Sequence, residues 1–331
     1  MLDLFRKFNV LQIDSISSPS TSEWREIFTV DPTATPFQSP EWMCAIEKTG
    51  HFKNKSRLFR CSKGRVLLPL AMHSSIFKNR KFSSLPHGFG AGGFISDFEL
   101  VKNDLISILE ALNNMNAREL SIRPNPMQIS IWPDPHACWA TTKRISHVLD
   151  ISSGYDYIWK NSFHSKKRNR IRKAVKLGIQ IKKGNDAAIL NQFYSVYLRW
   201  SEIRAKQRNL PSAPLLWLAR RREPKWKFDA VARELGSNLQ VYVASHGSLL
   251  VAAAVFLKMG DSAVYWRGAS DIELTRKFPG NDLLQNEMIR DACESHCSSY
   301  HMGESGGVES LMRFKKDFGA KEIKYSEFSL K

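Results

Sequence analysis

The stretch SKKRNRIRKAVKLG at residues 165–178 decides how the rest of the chain is interpreted. Ser165 is a suitable N-cap, apolar residues recur at helical spacing, and Gly178 can supply the left-handed residue that ends a helix. Ten basic residues and no acidic one lie between Lys160 and Lys183. We therefore predict a helix whose outer face attracts anions such as nucleic acid, through Lys166, Lys167, Arg168, Arg170, Arg172 and Lys173.

This basic segment is predicted to be folded and not a flexible tail. A run of like charges is most often a solvated surface or a tail. Here an apolar face accompanies the charges at Ile171, Ala174 and Val175, and it continues upstream through Ile158 and Phe163. The segment should therefore pack on a core and present its charges outward.

The composition indicates which classes of binding partner the protein favours. The 331 residues are 43% hydrophobic, which is enough for a sizeable core, and they carry a formal net charge of +17 with a pI near 9.7. Such a surplus favours phosphate-bearing partners: nucleic acid, tRNA included, nucleotides or anionic lipid. Peripheral association with an anionic membrane stays open, as does the alternative that the charge only keeps the protein soluble.

Cysteine usage predicts a cytoplasmic protein without a disulfide framework, because the cysteines are odd in number and scattered: Cys44, Cys61, Cys138, Cys293 and Cys297. Cys293 and Cys297 stand one helical turn apart with no second ligand pair nearby, so no metal site is predicted. Residues 1–20 lack the apolar core of a signal peptide, and no window approaches the ~20 apolar residues of a membrane span.

The first third of the chain predicts one α/β unit. Helices are expected at residues 22–28 and 40–48, the second with Ser39 as its cap and Pro40 in its first turn. A hairpin, a strand, a Gly-rich loop, a helix and a further strand follow, at residues 57–72, 81–85, 86–93, 97–114 and 118–123. Residues 125–140 read as a connector, and 146–151 as a strand leading into the basic segment.

The last third predicts the same order again. A strand at 179–182 is followed by helical segments at 186–206, 215–222 and 231–235. Next comes a three-stranded meander at 239–245, 249–258 and 263–268. A loop at 271–281, a helix at 282–295 and a strand at 299–302 complete the pattern. The repeated order indicates duplication of one unit. We therefore predict an α/β (α+β) fold with two similar domains in tandem.

The loop at residues 271–281 is a candidate phosphate site. Arg276 and Lys277 lie just before Pro279 and Gly280, and glycine lets the backbone approach a ligand closely. The following helix, opened by Asn281, points its unpaired N–H groups and positive dipole end at the same spot. Acetyltransferases of the GNAT fold hold the pyrophosphate of coenzyme A in this layout. Their usual Arg/Gln-x-x-Gly-x-Gly/Ala loop is absent.

Three motifs resemble the FemAB-like family: PFQSPEW at residues 36–42, KRNRIRKAVKLG at 167–178 and FKKDFG at 314–319. That family includes Fem transferases, which move an amino acid from aminoacyl-tRNA to the peptide of a cell-wall precursor, and CelD-like acyltransferases linked to exopolysaccharide. The resemblance implies two tandem GNAT-like domains, at residues 1–147 and 148–319. It also implies that a strand at 320–331 returns to complete the first domain.

The resemblance also implies roles for individual residues. Lys315 lies on the Phe-Lys motif and could stabilise the oxyanion formed when an amine attacks an ester or thioester. Arg204 falls near the arginine that Fem transferases use for the acceptor's phosphates. Ile46 replaces a lysine of those transferases, which argues against a UDP-linked acceptor, and the coiled-coil insertion of some Fem proteins is missing.

The general base is less well defined. Glu304 or Asp282 could remove the proton that the attacking amine must lose. His87 and His301 are expected to be structural.

Three functions remain open from the sequence. The first is transfer of an aminoacyl or acyl group from aminoacyl-tRNA, which suits the basic helix and the high net charge. The second is N-acyl transfer from acyl-CoA, and the third is a non-catalytic RNA-binding module. No permanently bound cofactor is expected. The acceptor amine could belong to a wall peptide, a polysaccharide, a small molecule or a protein N-terminus.

Overall fold

The computed structural model describes residues 11–75, 80–115, 117–134 and 139–330. Cys138 and residues 1–10 lie outside these ranges. The chain divides into two compact units. Unit 1 comprises Met1–Ile145 and Ile323–Lys331, and unit 2 comprises Ser146–Glu322.

Unit 1 contains two β-sheets. One has the strand order β1-β3-β4-β7, and the other runs β15-β8-β6-β5-β2, with the pair β6/β8 parallel. Its elements are β1 (Ile13–Ser17), α1 (Thr21–Val30), α2 (Pro40–Lys48), β2 (Phe52–Asn54), β3 (Arg57–Cys61), β4 (Gly64–Leu68), β5 (Ala71–His73), β6 (Lys81–Ser83), β7 (Ile95–Ser96), α3 (Lys102–Asn113), β8 (Glu119–Ile122), the first part of β9 (Trp139–Asp150) and most of β15 (Lys321–Leu330).

Local capping chemistry fixes the first two helices of unit 1. At α2 the Ser39 hydroxyl accepts a hydrogen bond from the Trp42 N–H at 3.1 Å, and Pro40 fills the first turn, so the predicted helix at 40–48 is confirmed. At α1 Ser20 and Glu23 form a capping box.

Three sequence predictions for unit 1 need correction. Helix α3 begins at Lys102 and not near residue 97, because Asp104 reaches back to accept from the Val101 N–H, whereas Asp97 binds Arg65. Residues 13–17, for which no strand was predicted, form β1. The predicted connector at 125–140 contains a 3-10 turn at Pro126–Ile131, and β9 begins inside its last residues.

Unit 2 is built around one sheet with the strand order β10-β11-β12-β13-β14-β9, in which only β13 and β14 are parallel among the described pairs. Its elements after β9 are α4 (Tyr155–Asn161), α5 (Ser165–Lys176), β10 (Gln180–Gly184), α6 (Ala187–Gln207), α7 (Ser212–Arg222), α8 (Lys225–Leu235), β11 (Leu239–His246), β12 (Leu249–Met259), β13 (Ser262–Ser270), α9 (Ile272–Lys277), α10 (Gly280–Glu294), β14 (Ser299–Glu304) and α11 (Glu309–Lys316).

The core of unit 2 explains why the basic segment folds. Ile171 and Ala174 of α5 are buried in one cluster with Leu284 and Met288 of α10 and Phe256 of β12. Burial of an Ile, Leu, Met or Phe side chain contributes roughly 1.5–3 kcal/mol, before the entropy of ordering it is subtracted. The predicted apolar face of α5 is therefore confirmed, although Val175 remains 61% exposed.

Four unit 2 helices differ from the prediction, three in their boundaries and one, α9, in its presence. The N-cap of α5 is His164, whose Nδ1 accepts from the Lys166 N–H at 3.2 Å, and Ser165 is the first helical residue. The predicted loop at 271–281 contains α9, because Asp271 accepts hydrogen bonds from the N–H groups of Glu273 and Leu274. Helix α8 begins at Lys225 and not at Val231, and α10 begins at Gly280.

Candidate active site

The ladder between β13 and β14 in unit 2 ends before either strand does. Their parallel pairing covers residues 262–264 and 299–301, whereas β13 continues to Ser270 and β14 to Glu304. Past Val264 and His301, no further ladder pair joins the two strands in the described structure. Main-chain groups past these two residues therefore lie outside the β13/β14 ladder, and we call this part of the sheet the cleft edge, because a substrate can meet such groups.

A bulge in β14 shapes this cleft edge. His301 pairs with Val148, and Glu304 pairs with Ser146, so Met302 and Gly303 face the single residue His147 on β9. Gly303 has φ of +70°, a conformation that glycine adopts without steric cost. Bulges of this kind re-aim the strand that carries them.

Lys315 of α11 is anchored to the bulge. Its Nζ donates to the carbonyl oxygens of Gly303 at 2.8 Å and of Glu304 at 2.9 Å, and the residue is only 5% exposed. Burial lowers the pKa of Lys315 to about 8, and the Glu304 carboxylate partly opposes that shift. The side chain is thus an ammonium at neutral pH and becomes a neutral amine under mildly alkaline conditions. The side chain of Glu304 itself is exposed.

Two buried histidines lie on the strands next to Lys315. His147 shares a 3.3 Å hydrogen bond between its Nδ1 and the Ser305 hydroxyl, and His301 is on β14. Burial lowers the pKa of each imidazole to about 4, and for His147 the positive charge of Lys315 adds to the effect. Both rings are therefore neutral at pH 7. His147, Ser305 and the Gly303 bulge escaped the sequence analysis, although a glycine-rich turn directly after a strand was a visible signal.

The predicted phosphate loop has a different construction from the expected one. Arg276 and Lys277 are exposed in the last turn of α9, and Asn281 is half-buried. Gly280 is buried, and a Cβ there would lie 3.1 Å from the Ala244 Cβ. This glycine therefore allows the close packing of α10 on the sheet, and its role at a phosphate stays a prediction.

The N-terminus of α10 already has an anion beside it. The Asp282 carboxylate lies in the first turn, where the helix dipole favours negative charge. It is 3% exposed and accepts from Lys167 Nζ and from Arg170 Nε, each at 2.8 Å. Asp282 is thus the centre of a buried ion pair, which corrects its assignment as a candidate general base.

Helix α5 divides its predicted anion-binding residues between the interior and the surface. Lys167 is buried, with its Nζ 3.9 Å from the centre of the Phe314 ring, and Arg168 donates to the carbonyl oxygens of Trp159, Lys160 and Phe163. These two side chains act within the fold. Exposed positions on α5 hold the remaining four: Lys166, Arg170, Arg172 and Lys173.

Two of the three sequence motifs meet in unit 2. The His164 N–H donates to the Asp317 carbonyl at 2.9 Å, and a Cβ added at Gly319, which has φ of +85°, would lie 2.7 Å from the Ser162 Cβ. Together with the stacking of Lys167 on Phe314, these contacts fix α11 against α5. The position of Lys315 thus depends on the basic helix.

Three further residues singled out from the sequence, Arg204, Ile46 and Trp42, make local packing contacts. Arg204 is half-buried on α6, with its guanidinium 5.1 Å from the Trp200 ring centre. In unit 1, Ile46 is fully buried, and Trp42 donates from its indole nitrogen to the Phe89 carbonyl at 3.0 Å in the Gly-rich loop. These contacts explain the early Trp motif as packing of that loop.

The cysteines of the described chain are free thiols. Burial raises the pKa of Cys61 and of Cys293 to about 11, and it also raises the pKa of Cys297. Within the described ranges, no group of three or more metal-ligating side chains occurs. In the same part of the chain, no helix has the length and apolar character needed to cross a bilayer.

Comparison with known proteins identifies unit 2 as an acyltransferase domain. Residues 161–316 match the acetyltransferase (GNAT) domain family. A UDP-N-acetylmuramoylpentapeptide-lysine N(6)-alanyltransferase of Weissella viridescens is 24% identical over 168 residues, which cover 50% of this chain and 45% of that enzyme. The chain thus matches about half the length of this curated relative.

Solved structures share the fold over nearly the whole chain. The crystal structure of FemX superposes with a TM-score of 0.65 at 14% identity, covering 95% of this chain and 96% of FemX. The C-terminal domain of a putative lysylphosphatidylglycerol synthetase from Agrobacterium fabrum gives a TM-score of 0.53 at 12% identity, covering 94% and 92%. The predicted fold class is confirmed, and so is the resemblance to FemAB-like GNAT acyltransferases, since residues 161–316 match the GNAT domain family and the relatives above include a Fem-type alanyltransferase.

Proposed function

We propose that unit 2 transfers an aminoacyl group from aminoacyl-tRNA to an amine acceptor of cell-envelope or related biosynthesis. The observation that carries the proposal is the buried Lys315 ammonium, held by the carbonyl oxygens of a bulge just past the last β13/β14 pair. A fixed cation in a water-poor site is suited to stabilise a developing oxyanion. The match of residues 161–316 to the GNAT domain family and the similarity of the chain to an alanyltransferase are consistent with this chemistry.

The proposed reaction is an aminolysis of an ester. The acceptor nitrogen attacks the ester carbonyl carbon, a C–N bond forms, and the carbonyl oxygen becomes an oxyanion. An ammonium has three N–H donors; two bind the carbonyl oxygens of Gly303 and Glu304, and we assign the third to the oxyanion. Collapse of the intermediate restores C=O and breaks the C–O bond, and the released ribose hydroxyl takes the proton lost by the amine. We propose the exposed Glu304 carboxylate as the relay for that proton.

The surroundings of α10 favour tRNA over coenzyme A as donor. The Asp282 carboxylate already lies at its N-terminus and is paired with Lys167 and Arg170, so an anion occupies the position that a pyrophosphate would take. Exposed cations remain on α5, where Lys166, Arg170 and Lys173 share one face by their i, i+4, i+7 spacing. Such a stripe suits the extended backbone of an RNA.

An acyl-CoA dependent N-acyltransferase is the second candidate. Arg276 and Lys277 favour it, because both are exposed in the last turn of α9, next to the start of α10. In this case the same attack occurs on a thioester, and the leaving group is the thiol of coenzyme A.

The acceptor is proposed by analogy with the alanyltransferase relative, whose name describes transfer to a lysine amine of a UDP-linked pentapeptide. We propose an amine on a cell-wall precursor or polysaccharide, with Arg204 binding an anionic group of the acceptor. A cytoplasmic location agrees with these substrates.

A transfer assay tests the function. The purified chain is incubated with a tRNA pool charged with radioactive amino acids and with a panel of amine acceptors, with and without ribonuclease. We expect labelled amide product that ribonuclease abolishes. Product that survives ribonuclease and requires acyl-CoA would favour the second candidate. RNA affinity without turnover in any combination would favour an RNA-binding module.

The face of α5 provides a separate test of the donor. Replacing Lys166, Lys173 and Lys176 by Gln should weaken tRNA binding about tenfold and reduce its salt dependence. Lys48, Lys53 and Lys55 of unit 1 are also exposed, and their replacement by Gln gives the same charge change. That control should alter the affinity less than about twofold. Equal losses in the two variants would mean that net charge, and not α5, binds the RNA.

A further inference from the structure

Helix α7 presents an apolar surface to solvent. It buries none of its residues, and its outer side carries Trp217 at 60% exposure and Leu218 at 50%. Leu210, just before the helix, is 46% exposed, and Trp226, just after it, is 44% exposed. A surface helix normally turns its polar side outward, so exposed Trp217 and Leu218 make the outer side of α7 unusually apolar.

The packing of α7 fixes which side faces outward. The helix lies against α6, and its inner side approaches Tyr197, whose hydroxyl is 3.5 Å from the Ala219 carbonyl oxygen. Trp217 and Leu218 are turned away from this inner side, because successive helical residues are about 100° apart around the axis. Together with Leu210, which precedes the helix, these exposed apolar side chains are called the apolar strip below.

Positive charge borders this strip. Residues 203–222 contain six basic side chains and no acidic one. Arg220 and Arg221 are exposed, and the Arg221 guanidinium lies 5.3 Å from the Trp217 ring centre. The next carboxylate in sequence, Glu223, is buried and accepts from Lys227 at 2.8 Å and from Arg267 at 2.9 Å. Its charge is therefore turned inward.

Charge and apolarity together select one kind of partner. A second copy of α7 would bring arginines together without a carboxylate to balance them. RNA would pair with the arginines but would leave Leu210 and Leu218 against a polar backbone. An anionic bilayer offers phosphates for the arginines and an acyl boundary for Trp and Leu.

We propose that the outer face of α7, from Leu210 to Trp226, docks on an anionic membrane surface. The helix lies in the plane of the interface, with Trp217 and Leu218 entering the headgroup boundary and Arg220 and Arg221 beside lipid phosphates. The proposal does not depend on the donor or on the transfer reaction, because its readout is binding alone.

Vesicle sedimentation of the full chain tests the docking surface. We expect binding to vesicles of equal parts phosphatidylglycerol and phosphatidylcholine, weak binding to phosphatidylcholine alone, and a decrease when salt rises well above about 0.1 M. The double variant Trp217→Ser, Leu218→Ser should bind at least about tenfold more weakly. Tyr157 and Val175 are similarly exposed in unit 2, and their replacement by Ser should change binding less than about twofold.

Charge variants separate the alternatives. Arg220→Gln with Arg221→Gln should weaken vesicle binding, whereas Lys173→Gln with Lys176→Gln, an equal charge change on α5, should have less effect. The proposal is overturned if the α7 variants bind vesicles like the unmodified chain. It is also overturned if the arginine pair affects only tRNA affinity, or if the Ser variants abolish a concentration-dependent dimer and leave vesicle binding unchanged.

Discussion

Two adjacent lysines of α11 show how burial separates a candidate catalytic group from an ordinary one. Lys315 is 5% exposed and bound to two carbonyl oxygens, whereas the Lys316 side chain is 50% exposed and paired with Glu322 at 2.6 Å. A surface pair of this kind contributes about 0–1 kcal/mol. Lys316 is therefore a matched control for Lys315.

Replacing Lys315 by Met should lower the single-turnover transfer rate about 10²–10³-fold, because the oxyanion loses its cation. Lys316→Met should change the rate less than about twofold. The pKa of about 8 also predicts a pH effect in the unmodified protein. The ammonium is present below this pKa and is lost above it, so the rate should fall as the pH rises through 8.

A purely structural role for Lys315 would give a different result. In that case Lys315→Met would lower the urea midpoint of unfolding, and the falling limb of the rate near pH 8 would persist in the variant. Measuring both quantities on the same preparations separates the two roles.

Lys167 is a buried link between three elements and should behave as a stability residue. Its Nζ contacts the Asp282 carboxylate and the Phe314 ring. Lys167→Met leaves Asp282 with Arg170 as its remaining cation, and removal of one partner of a buried pair costs about 3 kcal/mol. The exposed neighbour Lys166→Met should change the free energy of unfolding by less than about 0.5 kcal/mol. Urea denaturation measures both, and similar losses would contradict the assignment.

The role of Lys167 could not be predicted from the sequence. Its partner Asp282 lies 115 residues away, and helical spacing alone does not tell which basic residue turns inward when seven of them share one helix. Lys315 was selected from the sequence because it lies in a motif. Its contacts with the carbonyl oxygens of Gly303 and Glu304 could not be predicted, since they depend on the register of β9 and β14.

At the scale of elements, those stabilised by residues close in sequence were predicted best, and those that depend on distant residues were missed. Helix α2 was predicted with both ends correct, because Ser39, Pro40 and the apolar spacing are all local signals. Helix α9 was missed, since six residues are too few to show a helical period. The β14 bulge was missed because it exists only relative to β9.

The neighbouring strands β9 and β14 should make unit 2 sensitive to acid. His147 and His301 have pKa values of about 4 in the folded protein, below the ordinary value of 6.5. The unfolded chain therefore binds more protons than the folded one between these values, and stability falls as the pH falls through this window. At about pH 5 each histidine should cost about 2 kcal/mol of the free energy of unfolding relative to pH 7.

Urea unfolding at the two pH values measures this loss, and His301→Gln should reduce it by about half. His296 is exposed with φ of +59°, a conformation that Asn tolerates, so His296→Asn is the control and should leave the loss unchanged. Equal stability at both pH values would contradict the buried, neutral state of the two rings.

At the scale of the whole molecule, the end of the chain belongs to unit 1. Strand β15 pairs with β8, where Leu330 faces Leu120, and the Phe328 ring stacks on Trp132 with centroids 4.7 Å apart. The motif resemblance led us to expect a returning strand at 320–331, and β15 at Lys321–Leu330 lies in that range. That the two compact units are the domains predicted at 1–147 and 148–319 stays a proposal.

Fragments test that proposal. Residues 146–322 should unfold cooperatively on their own, because their core cluster lies entirely within unit 2. Residues 1–145 should remain incompletely folded, since they lack Phe328 and the partner of β8. Adding a peptide of residues 321–331 should restore a cooperative urea transition. Cooperative unfolding of residues 1–145 without the peptide would contradict the proposed boundary.

The buried thiols make it possible to measure how fast each unit opens. Cys61 lies in unit 1 and Cys297 in unit 2, and burial raises the pKa of both thiols, so the reactive thiolate is scarce while the surrounding core is closed. A thiol reagent can then modify each cysteine only during the moments when its own unit opens. The labelling rate of each cysteine therefore reports how fast its own unit opens. The opening rates of the two units can be measured separately in one intact chain.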